Sequence, residues 1–237
     1  MIIAGLQKLT LVDYPEKLAC TVFLAGCNFR CPWCYNPELV LPEKIKNNPK
    51  ITKKDFFDFL KFRKNLLDGV VICGGEPTLN QDLPFFCRKI RKMGYFIKLD
   101  TNGSNPQMIK DLIKEKLIDY VAMDIKAPED KYVQTINLKK SSLKNLLKNI
   151  KESIDILKKE DIDYEFRTTI VPKLLEKEDI IKIARWIGPA KKYYLQNFQG
   201  ERDTIDPNFK EINPCLDEYL FDIQKAISHF FEICGIR

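Results

Sequence analysis

Short apolar runs alternate along the chain with longer stretches in which apolar residues recur every three to four positions. The short runs are rich in β-branched and aromatic residues and predict strands at 19–25, 69–73, 95–100, 120–125, 164–170 and 192–197. Between them, helical periodicity predicts helices at 53–67, 83–93, 107–116, 142–158 and 177–187, with Thr52 and Asn80 as N-caps of two of them. A final helix is expected over about 216–234. Strands that alternate with helices build a parallel sheet. The expected fold is therefore α/β, a partial (β/α)6 TIM-like barrel, open on one side and ending in a C-terminal helix. One domain spans 1–237, with a core of about 19–200, an N-terminal extension of 1–18 and a C-terminal helical tail of 201–237. No internal repeat or low-complexity linker interrupts it.

The polar residues that break this pattern gather at the strand ends. The first strand runs into a cysteine-rich loop, and the second ends in Gly74-Gly75-Glu76-Pro77. The third ends in Asp100-Thr101-Asn102-Gly103 and the fourth in Asp124-Ile125-Lys126, while the fifth carries Arg167 and Thr169. Chemistry in barrel-like α/β folds collects at the C-terminal ends of parallel strands. Residues two apart on a strand face the same side. Lys98 with Asp100, Ala122 with Asp124 and Lys126, and Arg167 with Thr169 are thus expected to point into one cavity. Ionisable groups inside a barrel must be paired or must serve a charged ligand.

The loop after the first strand reads Cys27-Asn28-Phe29-Arg30-Cys31-Pro32-Trp33-Cys34, a C-x3-C-x2-C spacing. A [4Fe–4S] cube has four irons, and three closely spaced thiolates would leave one iron open, as a catalytic site requires. Zinc would want a fourth Cys or His nearby, and the only histidine is His229. A disulfide framework fits poorly with the scattered positions of the other cysteines. Cys20, Cys73 and Cys87 read as small core residues, and Cys215 and Cys234 belong to no second cluster. Eight free cysteines, with no leader or membrane-spanning run, predict a reducing, cytoplasmic location.

Lys+Arg number 39 and Asp+Glu 33, a net charge of +6. That excess is compatible with an acidic partner, but most lysines lie on predicted helix faces, among them Lys139, Lys140, Lys144 and Lys148. Nucleic acid is not an expected partner. The segment Lys191-Lys192-Tyr193-Tyr194 mixes basic and aromatic residues but reads as a buried strand.

The C-x3-C-x2-C loop with Trp33 before its last cysteine resembles the signature of the radical S-adenosylmethionine enzymes. Gly74-Gly75-Glu76-Pro77 is similar to that family's GGE motif, and Asp100-Thr101-Asn102-Gly103 and Asp124-Ile125-Lys126 are similar to motifs of the glycyl-radical-enzyme activases. The segment from Gly5 to Pro15, with Leu11-Val12-Asp13-Tyr14-Pro15, resembles the anaerobic ribonucleotide reductase activating proteins in particular. The resemblance implies a [4Fe–4S] cluster on Cys27, Cys31 and Cys34 with one open iron. It implies S-adenosyl-L-methionine held by Trp33, Tyr35, Gly74, Gly75, Glu76, Asp100, Thr101, Asp124, Ile125, Lys126, Arg167 and Thr169. Asn102, Gln196 and Asn197 are further candidates, the last two where activases often carry a histidine. A monovalent cation is implied between Asp100, Thr101, Ala122 (through its carbonyl) and Asp124.

The implied activity is reductive cleavage of S-adenosylmethionine to a 5′-deoxyadenosyl radical, which abstracts a hydrogen atom from a glycine of a partner glycyl-radical enzyme. Anaerobic ribonucleotide reductase is the expected partner, and flavodoxin or ferredoxin the expected electron donor. No general acid or base is needed, because the cofactors carry the chemistry. Three other readings stay open: a radical enzyme acting on RNA or a nucleoside precursor, a non-enzymatic electron carrier, and a binding protein with a metal-stapled loop.

Overall fold

The structure is a computed structural model describing residues 1–138 and 143–237, with the backbone alone at 143 and 144. The expectations for Lys139, Lys140, the side chain of Lys144 and a helix start at Ser142 lie outside the described residues.

Eight strands form one sheet in sequence order: β1 (Ile3–Thr10), β2 (Ala19–Leu24), β3 (Gly69–Gly74), β4 (Phe96–Thr101), β5 (Tyr120–Asp124), β6 (Asp163–Ile170), β7 (Ala190–Asn197) and β8 (Phe231–Ile236). β1 pairs antiparallel with β2, and every later neighbour is parallel. The sheet order runs from β1 to β8 without closing, so it is an open barrel. The predicted six strands are β2 to β7, each followed by a helix. The crossovers are Lys53–Phe62, Leu83–Lys92, Pro106–Lys114, Leu143–Lys159, Lys177–Ile187 and Asp217–Ile227.

The alternation of each strand divides the fold into two faces. One residue in two packs outward under the helices: Val22, Ile72, Leu99, Val121 and Phe166 are all fully buried in one apolar cluster. The inner face is apolar only at its lower end, where Tyr14, Ala19, Val71 and Tyr120 pack together and the Tyr14 and Tyr120 rings lie 6.1 Å apart. Thr21 Oγ1 donates to Asp13 Oδ2 at 2.6 Å, tying the segment after β1 beneath the barrel. The expected N-terminal extension is thus an edge strand followed by a floor.

Three expectations are corrected. The last helix ends at Ile227, and after one 3-10 turn, Ser228–Phe230, the chain enters β8 beside β7. The helical tail is therefore a seventh parallel strand reached through a helix. The apolar spacing of 216–227 carries on far enough to imitate a helix, but the open edge of β7 offers backbone partners that the local pattern does not reveal. The first crossover helix stops at Phe62 rather than Leu67, because the chain tightens at Arg63 and turns through Asn65, at φ +67°, to start β3. Thr52 caps that helix as expected, accepting from Asp55 N at 3.0 Å. Asn80 does not cap the next one; Asp82 holds that position, and Asn80 Nδ2 donates back to Pro77 O. Among the described residues no helix is long and apolar enough to cross a membrane.

Candidate functional site

The cysteine loop leaves the upper end of β2 and lies directly against the turn after β3. Gly75 N donates to Leu24 O at 2.8 Å, and Glu76 N to Gly26 O at 2.7 Å. A Cβ on Gly74 would meet Leu24 O at 2.2 Å, and one on Gly75 would meet Gly26 O at 2.2 Å. Gly74 also sits at φ +129°, a conformation that excludes side chains. Two glycines are thus required for backbone to pack on backbone, which leaves both facing a cavity of about 370 Å³.

Cys27, Cys31 and Cys34 line that cavity with Trp33 and Tyr35. Cys27 Sγ accepts from Phe29 N at 3.4 Å, and Cys34 N donates to Cys31 O at 3.0 Å, folding the loop into a tight cup. Burial pushes the Cys27 thiol up to about 11 and the Cys31 thiol up to about 12, and it raises Cys34 as well. Thiols held this way stay protonated until a cationic body replaces the protons. Among the described residues no three His, Cys, Asp or Glu side chains converge on a single metal ion. The three cysteines instead share one cavity wall, an arrangement suited to a body larger than one ion. Trp33 contributes to the cavity wall, and its Nε1 is buried without a hydrogen-bond partner. The residues present therefore fit both an iron–sulfur cube and a nucleoside-bearing ligand beside it.

Across the cavity lies a layer of ion pairs. Asp100, Thr101 and Asn102 come from the end of β4, Asp124 and Lys126 from β5, Arg167 and Thr169 from β6, and Gln196 and Asn197 from β7. The register places Asp124 beside Arg167, and Asp100 beside Ala122. Arg167 Nε donates to Asp124 Oδ1 at 2.8 Å, and its Nη1 reaches across β5 to Asp100 Oδ2 at 3.1 Å. Lys98 Nζ meets Asp100 Oδ1 at 2.5 Å, and Lys126 Nζ meets Asp124 Oδ2 at 2.9 Å. Burial alone would raise the Asp124 carboxyl, but Arg167 and Lys126 outweigh it and hold it at about 2. For Lys126 the desolvation that lowers it is likewise overcome by Asp124 and Cys31, and the net direction is upward.

Three expected contacts are placed otherwise. The Glu76 side chain is fully buried and turned away from the cavity. Its carboxylate accepts from Thr78 N, Thr78 Oγ1 and Thr101 Oγ1 on one oxygen, and from Asn102 N at 2.6 Å on the other. Glu76 is thus a clasp between the β3 and β4 loops, and the glycines before it form the wall. Ile125 is buried in the outer core and does not line the cavity, its N–H donating to Arg167 O on the neighbouring strand at 2.8 Å. Ala122 is a buried methyl group between Asp100 and Glu165 in the sheet. Cys73, expected in the core, lies two residues after inward-facing Val71 and lines the cavity.

The two β7 candidates divide. Asn197 is engaged with the Cys215 backbone, donating to its carbonyl at 2.9 Å and accepting from its N–H at 3.0 Å. Gln196 lines the cavity, and its side chain makes no hydrogen bond among the described residues. The connection after β7 then folds over the cysteine loop. Phe198 stacks on Tyr35 at 5.5 Å, Gln199 N donates to Tyr35 Oη at 2.7 Å, and Asp206 N donates to Pro32 O at 2.8 Å.

Sequence reasoning missed Glu165 and Arg237. Glu165 is fully buried, and its carboxylate takes a bidentate pair from Arg237 at 2.8 and 3.1 Å plus the Tyr120 hydroxyl at 2.9 Å. Its position two residues before Arg167 was the available signal. Arg237 had none, since the strand that delivers it was read as helix.

The Radical SAM superfamily profile matches residues 21–187. A Methanocaldococcus jannaschii protein, provisionally named a glycyl-radical enzyme activating enzyme, is 35% identical over 237 residues, covering 100% of this chain and 95% of its own. The pyruvate formate-lyase-activating enzyme of Clostridium pasteurianum is 28% identical over 244 aligned positions, covering 93% of this chain and 97% of its own. Among solved structures, SuiB of Streptococcus suis superposes with a TM-score of 0.64 at 14% identity, over 91% of this chain and 48% of that one, a likeness of fold. With its three-cysteine cup, its glycine wall and these matches, the chain belongs to the radical S-adenosylmethionine superfamily and groups there with the glycyl-radical enzyme activating enzymes.

Proposed function

We propose that this enzyme uses a [4Fe–4S] cluster on Cys27, Cys31 and Cys34 and S-adenosylmethionine to install a radical on a glycine of a partner protein. The observation that carries the reading is that the three thiols and the Asp100–Asp124–Lys126–Arg167 layer line one cavity. Cys27, Cys31 and Cys34 would hold the cluster, which when reduced would supply one electron for the cleavage of S-adenosylmethionine and so the radical chemistry at the partner's glycine.

The protein's own residues bind, orient and exclude water. Trp33 and the Tyr35 ring, the latter held by Phe198 and Gln199, form a flat wall for the cofactor's base. Backbone at Gly74 and Gly75 is bare enough for close approach. Lys98, Lys126 and Arg167 set three positive charges against the two of Asp100 and Asp124, an excess that suits a ligand carboxylate.

A protein substrate is favoured because the barrel is open along one side, where a loop of the partner can enter and help keep the radical from water. The anaerobic ribonucleotide reductase large subunit is the proposed partner and a flavodoxin or ferredoxin the proposed donor, both on the resemblance of the 5–15 segment and the activase motifs. The RNA reading loses support, since Tyr193 is fully buried and cannot stack a base.

The test is an anaerobic EPR spectrum of the reduced, reconstituted protein with S-adenosylmethionine and that large subunit. A glycyl-type doublet that changes in deuterated water is the expected outcome. A cluster signal that responds to the cofactor, with no organic radical on the partner, would overturn the choice of partner.

A further inference from the structure

The resemblance that locates the cofactor also implies a Na⁺ or K⁺ ion between Asp100 and Asp124, and the residues present do not fit one. A monovalent cation needs carboxylate oxygens that are not already neutralised. Here all four oxygens of the two aspartates face a cationic nitrogen. Asp100 Oδ1 has Lys98 Nζ at 2.5 Å and Asp100 Oδ2 has Arg167 Nη1 at 3.1 Å. Asp124 Oδ1 has Arg167 Nε at 2.8 Å, and Asp124 Oδ2 has Lys126 Nζ at 2.9 Å. The third side chain implied for the ion is committed as well. Thr101 Oγ1 donates to Glu76 Oε1 at 2.8 Å and accepts from Gly103 N at 3.1 Å.

We propose that the Arg167 guanidinium is a built-in substitute for the monovalent cation, and that this protein binds S-adenosylmethionine without Na⁺ or K⁺. The inference rests on cofactor binding in this cavity, as the proposed function does. Three features keep the guanidinium where it is. Ala122 stands between Asp100 and Glu165 in the sheet and leaves only a methyl group in the path of Arg167 across β5. Arg167 is only 12% exposed, so leaving the pair would strand a buried charge. Among the described residues the one other carboxylate within reach is Glu165, 4.0 Å away, and it is already taken by both arms of Arg237 and by the Tyr120 hydroxyl. A planar fork on two carboxylates fixes their spacing as a spherical ion would, and it cannot be washed out.

The experiment is calorimetric titration of S-adenosylmethionine into anaerobically reconstituted protein in KCl, NaCl or choline chloride at equal ionic strength. The expected dissociation constants agree within about twofold, the scatter of a screened surface effect. A tenfold weaker affinity in choline, restored by K⁺, would overturn the proposal. Absence of binding in every salt would overturn the cofactor reading itself and this inference with it.

Arg167→Ala sharpens the result, because it vacates the space between two buried carboxylates. Its thermal midpoint is expected to rise in KCl relative to choline chloride, while the wild-type midpoint does not move. A K⁺-specific rise in the wild type, or an Arg167→Ala protein indifferent to K⁺, would count against the substitution. Should Arg167→Ala not fold, the wild-type titrations decide alone.

Discussion

The two faces of the sheet are built from alternate residues of the same strands, and they are held together by different physics. On the outer face Leu99, Val121 and Phe166 are fully buried among apolar neighbours. Their stability comes from burial and packing, which are non-directional and degrade gradually. One position along, Lys98, Asp100, Glu165 and Arg167 hold each other through directed ion pairs and hydrogen bonds. Buried charges are costly alone and tolerable only as a complete set. The outer face can therefore lose a methyl group and remain a core, whereas on the inner face the loss of one member leaves its partner's charge buried and unpaired.

The sharpest break in this contrast is at the cysteine cup. Cys31→Ala should remove all stably bound iron after anaerobic reconstitution, read by metal analysis and by the loss of the visible charge-transfer absorbance. Retention of a full cluster would end the assignment of this ligand. On the outer face Leu99→Ala should cost about 3 kcal/mol in chemical denaturation, the usual price of a core leucine, while leaving the cofactor dissociation constant unchanged.

On the inner face Arg237→Ala leaves the fully buried Glu165 carboxylate with only Tyr120 and the more distant Arg167. Because Arg237 is itself about one-third exposed, the loss should be about 2 kcal/mol, below that of a fully buried pair. An effect indistinguishable from zero would show that the Arg237–Glu165 pair does not stabilise the fold.

An effect of similar size is one of acid. Asp124 titrates at about 2 in the folded protein against its usual 3.8. Its stabilisation is complete above the unfolded value and disappears as pH falls through the folded one. It contributes about 2 kcal/mol by linkage. Unfolding free energies measured from pH 7 to pH 2 should show that component flat above about pH 5 and falling below about pH 4. In Asp124→Asn that component should be absent.

Much of this contrast was legible in the sequence. The six predicted strands correspond to β2 through β7, and the two-residue parity of Lys98 with Asp100 and of Asp124 with Lys126 correctly put them on one face. The same parity applied to Glu165 would have placed it on that face, though not its partner Arg237. What parity does not supply is the partner. Arg167 could have met either aspartate or Glu165, and its reach to Asp100 depends on the small side chain of Ala122 on the strand between. Glu76 was read as a cofactor contact because its motif is local, whereas its direction is set by donors from Thr78, Thr101 and Asn102.

By itself the sequence determined the strand and helix rhythm, the three-cysteine spacing and the side of the sheet on which each rim residue stands. These depend on repeats of two and 3.6 residues, which are written locally in the chain. Only the tertiary structure decided that residues 231–236 form a strand, that Arg237 reaches Glu165, and that one guanidinium spans two aspartates. Those outcomes join residues from 41 to 72 positions apart, where the choice among partners is made by distance and by the cost of leaving a buried polar or charged group alone.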